Sequence, residues 1–365
     1  MPSRRLPWSA EPNALTVLRG EKLLAGTPIL DLTVTNPTRA GIAYPESELL
    51  RAIADPALLR YEPTPRGPEA ARAAVGALYG VGAERVLLTA STSEAYALLF
   101  KMLCDPGDVV LVPQPGYPLF DHLAALEGVS VRPWQLDLDA GWASRIPRSA
   151  GGAKALVAVS PNNPTGSCLE PAALDDVARL GIPLISDEVF SDYAFAPLPP
   201  PARSRTDIPV FTLGGLSKSA GLPQLKLGWI VATGPGAPQA LDRLAAAADA
   251  YLSPSAPVLC AAPRLLELAP RIREGIRARL QANLAVLRAV LPESLRAPLG
   301  GWSAVLELPA ERTDEEWALA LLRTDGVLVH PGYFYGFPRE AFLVVSLLTP
   351  EETFRAGCGR IASRL

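Results

Sequence analysis

Seven short apolar runs are spread along residues 85–232, several of them separated by stretches that read as helices. The runs are RVLLTA (85–90), DVVLVP (108–113), VSVRPW (129–134), ALVAVS (155–160), IPLIS (182–186), PVFTL (209–213) and LGWIVA (227–232). They are rich in Val, Ile and Leu and apolar on both faces, which is how strands read inside a sheet covered by helices. Segments such as EAYALLFKML (94–103) and EPAALDDVARL (170–180) supply helices between them. The alternation predicts an α/β fold: a mostly parallel seven-stranded sheet sandwiched by helices, with right-handed crossovers.

Two long Ala- and Leu-rich stretches, 237–249 and 271–292, also predict helices. The second is expected to open a smaller C-terminal α+β part, with strands at WSAVLEL (302–308), GVLVHPG (326–332) and FLVVSLL (342–348). A chain of 365 residues suits two domains. The expected division is a large domain over 46–260 and a smaller, discontinuous one made from 1–45 and 261–365. The N-terminal segment would pack onto the C-terminal part.

Composition removes several alternatives. Hydrophobic residues make up 49% and charged residues 19%, which excludes a disordered chain. A net charge of −3 gives no pull toward nucleic acid or an anionic membrane. No run approaches the ~18 apolar residues of a membrane span. The opening MPSRRLPWSAEPNAL has two arginines and no apolar stretch after them, so a cytoplasmic protein is expected. The four cysteines, Cys104, Cys168, Cys260 and Cys358, are far apart, and only His122 and His330 accompany them. No metal site and no disulfide framework is expected, and both histidines are read as structural.

The chemistry concentrates where strands end. Only five of the 34 basic residues are lysine, and two of the five, Lys218 and Lys226, lie in LSKSAGLPQLKLGW (216–229) after the PVFTL strand. A lysine becomes a nucleophile when a cationic neighbour or an apolar pocket favours its neutral amine. SPNNPTG (160–166) makes a tight turn at another strand end, where ligands bind in open α/β sheets. SDEVFSDY (186–193) places an acid at the end of a buried strand, which is costly unless it meets a partner. In TASTSEAYALL (89–99) Ser and Thr precede a helix whose first turn offers free N–H groups suited to a phosphate. PQPGYPLF (113–120) puts Tyr117 just past a further strand, and YEPTPRG (61–67) is a Pro-rich loop.

In this order and spacing the motifs resemble the fold-type I, class I/II aminotransferases, which use pyridoxal 5′-phosphate (PLP). SPNNPTG, the DE pair after a strand and SK-x-x-G-L-x-x-x-K-x-G carry the resemblance over nearly the whole chain. It implies an enzyme moving an amino group between an amino acid or amine and a 2-oxo acid. Lys218 would form the Schiff base and Asp187 would pair with the pyridine nitrogen. Asn163 would donate to the ring O3′ and Tyr117 would stack on the ring. Thr92, Ser93 and Lys226 would hold the phosphate. Tyr61 would reach the phosphate of a neighbouring subunit, which implies a homodimer with shared active sites.

Four positions depart from the family pattern. Phe190 stands where a Tyr usually donates to O3′, Gly215 where a Ser often meets the phosphate, and Lys226 where an Arg is usual. Val344 takes the place of the Arg that holds the substrate carboxylate. A carboxylate left unpaired in a desolvated pocket is costly, so Arg39 in TNPTRAG (35–41) is the first candidate clamp and Arg66 the second. Asn36 is a further candidate for the substrate side, and the resemblance places Tyr333 and Tyr335, in the HPGYFYGF loop (330–337), on the lining of the substrate pocket. A carbon–sulfur β-lyase or a decarboxylase on the same fold would keep the same cofactor residues. A catalytically silent binding protein is the third reading.

Overall fold

The computed structural model describes residues 3, 5, 6 and 11–365. The start of the N-terminal segment expected in the small domain therefore lies mostly outside the described residues.

The seven expected strands all form, and an eighth joins them at the edge. Across the sheet they run Val86–Thr89, Gly228–Thr233, Val210–Gly215, Leu184–Asp187, Ala155–Val159, Val109–Gln114, Ser130–Asp137 and Ala143–Arg145. The five from Val210–Gly215 to Ser130–Asp137 are parallel. Gly228–Thr233 runs antiparallel to both neighbours. The added strand is a three-residue hairpin arm, antiparallel to Ser130–Asp137. The Asp137 carboxylate accepts from the N–H groups of Asp139 and Ala140 at 3.0 and 3.1 Å, and Trp142 turns the chain with φ 67°. An arm reading Ala-Ser-Arg has no apolar run to betray it.

Neighbouring order along the chain reverses beside Val109–Gln114: the following strand, Ser130–Asp137, lies on one side, while Ala155–Val159 and its successors extend on the other. Such a switch point opens a crevice at the carboxyl ends of parallel strands.

The C-terminal region forms a second, antiparallel sheet ordered Leu295–Arg296, Ser303–Glu307, Phe342–Ser346 and His330–Pro331. Leu30–Asp31 pairs in parallel with Val327–Leu328, and Ser346 donates its backbone N–H to the Leu32 carbonyl. These bonds tie the N-terminal segment to the C-terminal region.

One helix corrects the sequence reading. The stretch expected over 271–292 is the second half of a 35-residue helix, Ala256–Val290, that runs through Pro263 and Pro270. Each proline removes an N–H and crowds the preceding turn, at a cost of about 3 kcal/mol. The apolar face that continues through Val258, Ala261, Ala262, Leu265 and Leu266 is buried and holds the first half in place.

Candidate active site

Five chain segments leave the large sheet at one edge and meet around a cavity of about 510 Å³. Ser91, Thr92 and Ser93 follow Val86–Thr89, Tyr117 follows Val109–Gln114, and Asn163 follows Ala155–Val159. Asp187 ends its strand, and Lys218 follows Val210–Gly215. Lys226 also lines the cavity. The structure thus gathers seven of the eight residues expected to hold the cofactor, all but Tyr61.

The helix Thr92–Leu103 is held by its buried face, Ala95, Tyr96, Leu98, Leu99 and Phe100. Ser91 caps it, accepting from the Glu94 N–H at 3.2 Å, and the N–H groups of the first turn have no helical partners. Gly228 on the neighbouring strand lets this turn close in. A Cβ there would sit 2.7 Å from the Ser91 carbonyl carbon and 3.0 Å from the Thr92 nitrogen. Gly215 has a local reason too, since a Cβ there would lie 3.1 Å from the Leu227 carbonyl oxygen.

Lys218 sits in a single helical turn, Leu216–Ser219. The Ser219 hydroxyl donates to the Gly215 carbonyl at 2.9 Å, and the Tyr193 phenol donates to the Lys218 carbonyl. The Lys218 side chain lies on an aromatic wall, with Nζ 4.9 Å from the Trp302 ring centre and 5.8 Å from that of Phe190. Burial pushes its amine below the usual lysine range, against the opposing pull of Asp187.

Asp187 is 7% exposed. Burial raises its carboxyl to about 6, while the Val189 N–H at 3.1 Å and the Tyr96 hydroxyl at 3.0 Å favour the ionised form. A charge buried on so few partners suits a cationic ligand. Asn163 accepts from the Ser303 hydroxyl at 3.4 Å. Tyr117 lies edge-on to Phe120 with ring centres 5.6 Å apart.

Other expected residues lie elsewhere in the single chain. Arg39 is exposed at the end of the short turn Pro37–Arg39, outside the cavity. Asn36 caps that turn, accepting from the Thr38 N–H and hydroxyl at 3.0 and 2.7 Å. Thr35 is the residue of this segment that reaches the wall. Arg66 is tied to Asp242, away from the cavity. Tyr333 faces an adjoining groove beside Gln114 and Tyr117. Tyr61 is 84% exposed and lines a different hollow, with Pro63 and Cys260. Val344 is buried in the antiparallel sheet.

Sequence reasoning missed four contributors. Tyr96 reads as one more apolar position on a helix, yet it bonds to Asp187. Trp302 and Ser303 line the cavity from the second sheet. So does His330, read from the sequence as structural; its Nδ1 is 2.9 Å from the Tyr335 hydroxyl. The only hint was the loop HPGYFYGF itself. Among the described residues, no group of three His, Cys, Asp or Glu is placed to hold a metal ion, and no helix is long and apolar enough to cross a membrane.

Comparison with known proteins agrees with this geometry. Residues 29–361 match the family model for aminotransferase class I and II. The probable aminotransferase TAT2 of Arabidopsis thaliana is 29% identical over 66% of this chain and 64% of its own length. The S-alkyl-thiohydroximate lyase SUR1 of the same plant is 31% identical over 52% of this chain and 44% of its own. The match thus spans less than two thirds of either curated relative. Among solved structures, the alanine aminotransferase from Pyrococcus furiosus superposes with a TM-score of 0.87. It is 22% identical, covering 100% of this chain and 99% of that one, a likeness of fold.

Proposed function

The chain belongs to the class I and II aminotransferase family, and on that premise we propose that it is a PLP-dependent enzyme transferring an amino group between an amino acid or amine and a 2-oxo acid. The observation that carries this reading is the meeting of Lys218, Asp187 and the start of the Thr92–Leu103 helix on one cavity.

The residues present fit PLP. The free N–H groups of the Thr92 turn, with Ser93 and Lys226, form a cradle for a phosphate, and Gly228 lets the Ser91–Thr92 backbone close in beside its strand. Buried Asp187 offers an anion to a protonated ring nitrogen. Asn163 and Tyr117 flank the space between these ends. When bound, PLP supplies an electron sink for charge developing at the substrate's α-carbon.

The chain's own groups do the rest. Lys218 Nζ is the covalent anchor and moves the proton at the substrate α-carbon; its burial keeps more of the amine neutral. Asp187 keeps its negative charge aimed into the cavity through the Tyr96 hydroxyl and the Val189 N–H. The aromatic wall of Phe190 and Trp302 excludes water from Lys218.

The same proposal includes two domains with the boundaries expected above, the second sheet belonging to the smaller one. It also includes a homodimer in which Tyr61 reaches the partner's phosphate, and a cytoplasmic location. Exposed Tyr61 and four free cysteines support the last two points. The lyase reading shares every residue named, and SUR1 keeps it in view.

A half-reaction screen decides. Purified holoenzyme is mixed with single amino acids and amines. Conversion of the cofactor spectrum from its aldehyde to its amine form establishes transamination. Release of ammonia or thiol without that conversion would overturn it in favour of a lyase.

A further inference from the structure

The cavity has two unlike ends. Its cations are Lys218, at the reacting centre, and Lys226, two residues from the glycine that abuts the Thr92 turn. No arginine lines it among the described residues. The wall opposite, built from the second sheet and its loops, carries Trp302, Ser303, His330 and Tyr335. Val344, the register partner of His330, is buried behind them at 2% exposure. Burial pushes the His330 imidazole below its ordinary value, against the pull of Asp31, and so favours the uncharged ring.

His330 Nδ1 and the Tyr335 hydroxyl share one hydrogen bond of 2.9 Å. If the phenol donates, the imidazole proton sits on Nε2 and remains a donor. If Nδ1 donates, the phenol O–H remains a donor. Either way the pair keeps one hydrogen to offer and carries no charge.

We propose that the His330–Tyr335 pair is the group that reads the carboxylate of the amino donor, as a neutral hydrogen-bonding device, and that the site therefore selects monocarboxylic donors with aromatic or apolar side chains over dicarboxylic ones. A single carboxylate finds the pair and Ser303, and an uncharged side chain finds Trp302 and Phe190. A second carboxylate would be desolvated against rings, with no free cation to meet it. The inference rests on the transamination reading for the identity of the ligand as an amino donor.

The test uses holoenzyme and two ligands that carry no reacting amine, 3-phenylpropanoate and glutarate, titrated calorimetrically. Phenylpropanoate should bind at least about tenfold more tightly, and Tyr335→Phe should weaken it about tenfold, the value of one hydrogen bond to a charged group. His330→Arg should reverse the order. Equal or tighter binding of glutarate to the unaltered protein overturns the proposal, a result that needs no variant to fold. Unchanged phenylpropanoate binding in Tyr335→Phe overturns it too. Failure of the transamination reading shows separately, as release of ammonia or thiol without conversion of the cofactor spectrum to its amine form while the ligand preference persists.

Discussion

The Tyr96 hydroxyl donates to Asp187 Oδ2 across 3.0 Å, joining the helix that begins at Thr92 to the end of a strand 91 residues further along the chain. The bond links the helix behind the Thr92 turn to the acidic floor of the cavity. It also steadies the ionised carboxylate that burial opposes.

Tyr96→Phe should therefore push the Asp187 carboxyl still higher. Near pH 6–7 more of it will be neutral and unable to pair with a protonated ring nitrogen. PLP affinity should fall by about three- to tenfold at pH 6.5 and approach that of the unaltered protein by pH 9. Cofactor titration at the two pH values checks this, and an equal loss at both would contradict it.

Asp187→Asn should separate chemistry from stability. Burial raises the folded carboxyl from its ordinary 3.8 to about 6, so its ionisation opposes folding. The penalty is absent well below pH 3.8, grows through the interval, and is complete above pH 6. Without cofactor, the variant should be more stable by up to about 3 kcal/mol at pH 8, with the gain shrinking toward pH 4. Turnover should drop by several orders of magnitude. Denaturant melts at both pH values and a rate assay measure the two effects.

Borohydride reduction of the holoenzyme, followed by peptide mapping, should find the pyridoxyl group on Lys218. Its burial against Trp302 and Phe190 sets it apart from Lys226, which is exposed. Label on Lys226, or on no lysine, would remove the anchor from the proposed mechanism.

Gly228→Ala adds a Cβ that meets backbone on both sides of the Ser91–Thr92 link at 2.7 and 3.0 Å. Backbone cannot swing aside as a side-chain tip can, so the cradle must open. PLP affinity should fall at least tenfold, with a stability loss of about 1–3 kcal/mol. A variant that binds PLP as before would show that the turn does not hold the phosphate.

Much of this molecule was legible residue by residue. A strand covered on both faces must be apolar throughout, so six of the eight strands of the large sheet announced themselves; Ser130–Asp137, exposed at Ser130, Pro133 and Gln135, was legible only from the short run VSVRPW, and the polar arm Ala143–Arg145 was not legible at all. Turn-forming residues act over a few positions, so SPNNPTG and the serines before the Thr92 helix were visible as local features. Lys218, Asp187 and Asn163 stand just at or beyond strand ends, where chain order alone brings them to one edge of the sheet.

The rest depended on contacts between distant segments. Nothing near Tyr96 says that its hydroxyl meets Asp187, and nothing near Trp302 says that its ring lies beneath Lys218. His330 reached the cavity because its strand pairs with Phe342–Ser346, which in turn pairs with Ser303–Glu307. Arg39, chosen for its charge, stayed exposed on a capped turn. Local pattern records how each residue meets water and its own backbone; which side chains share a desolvated space is decided only when the sheets close over it.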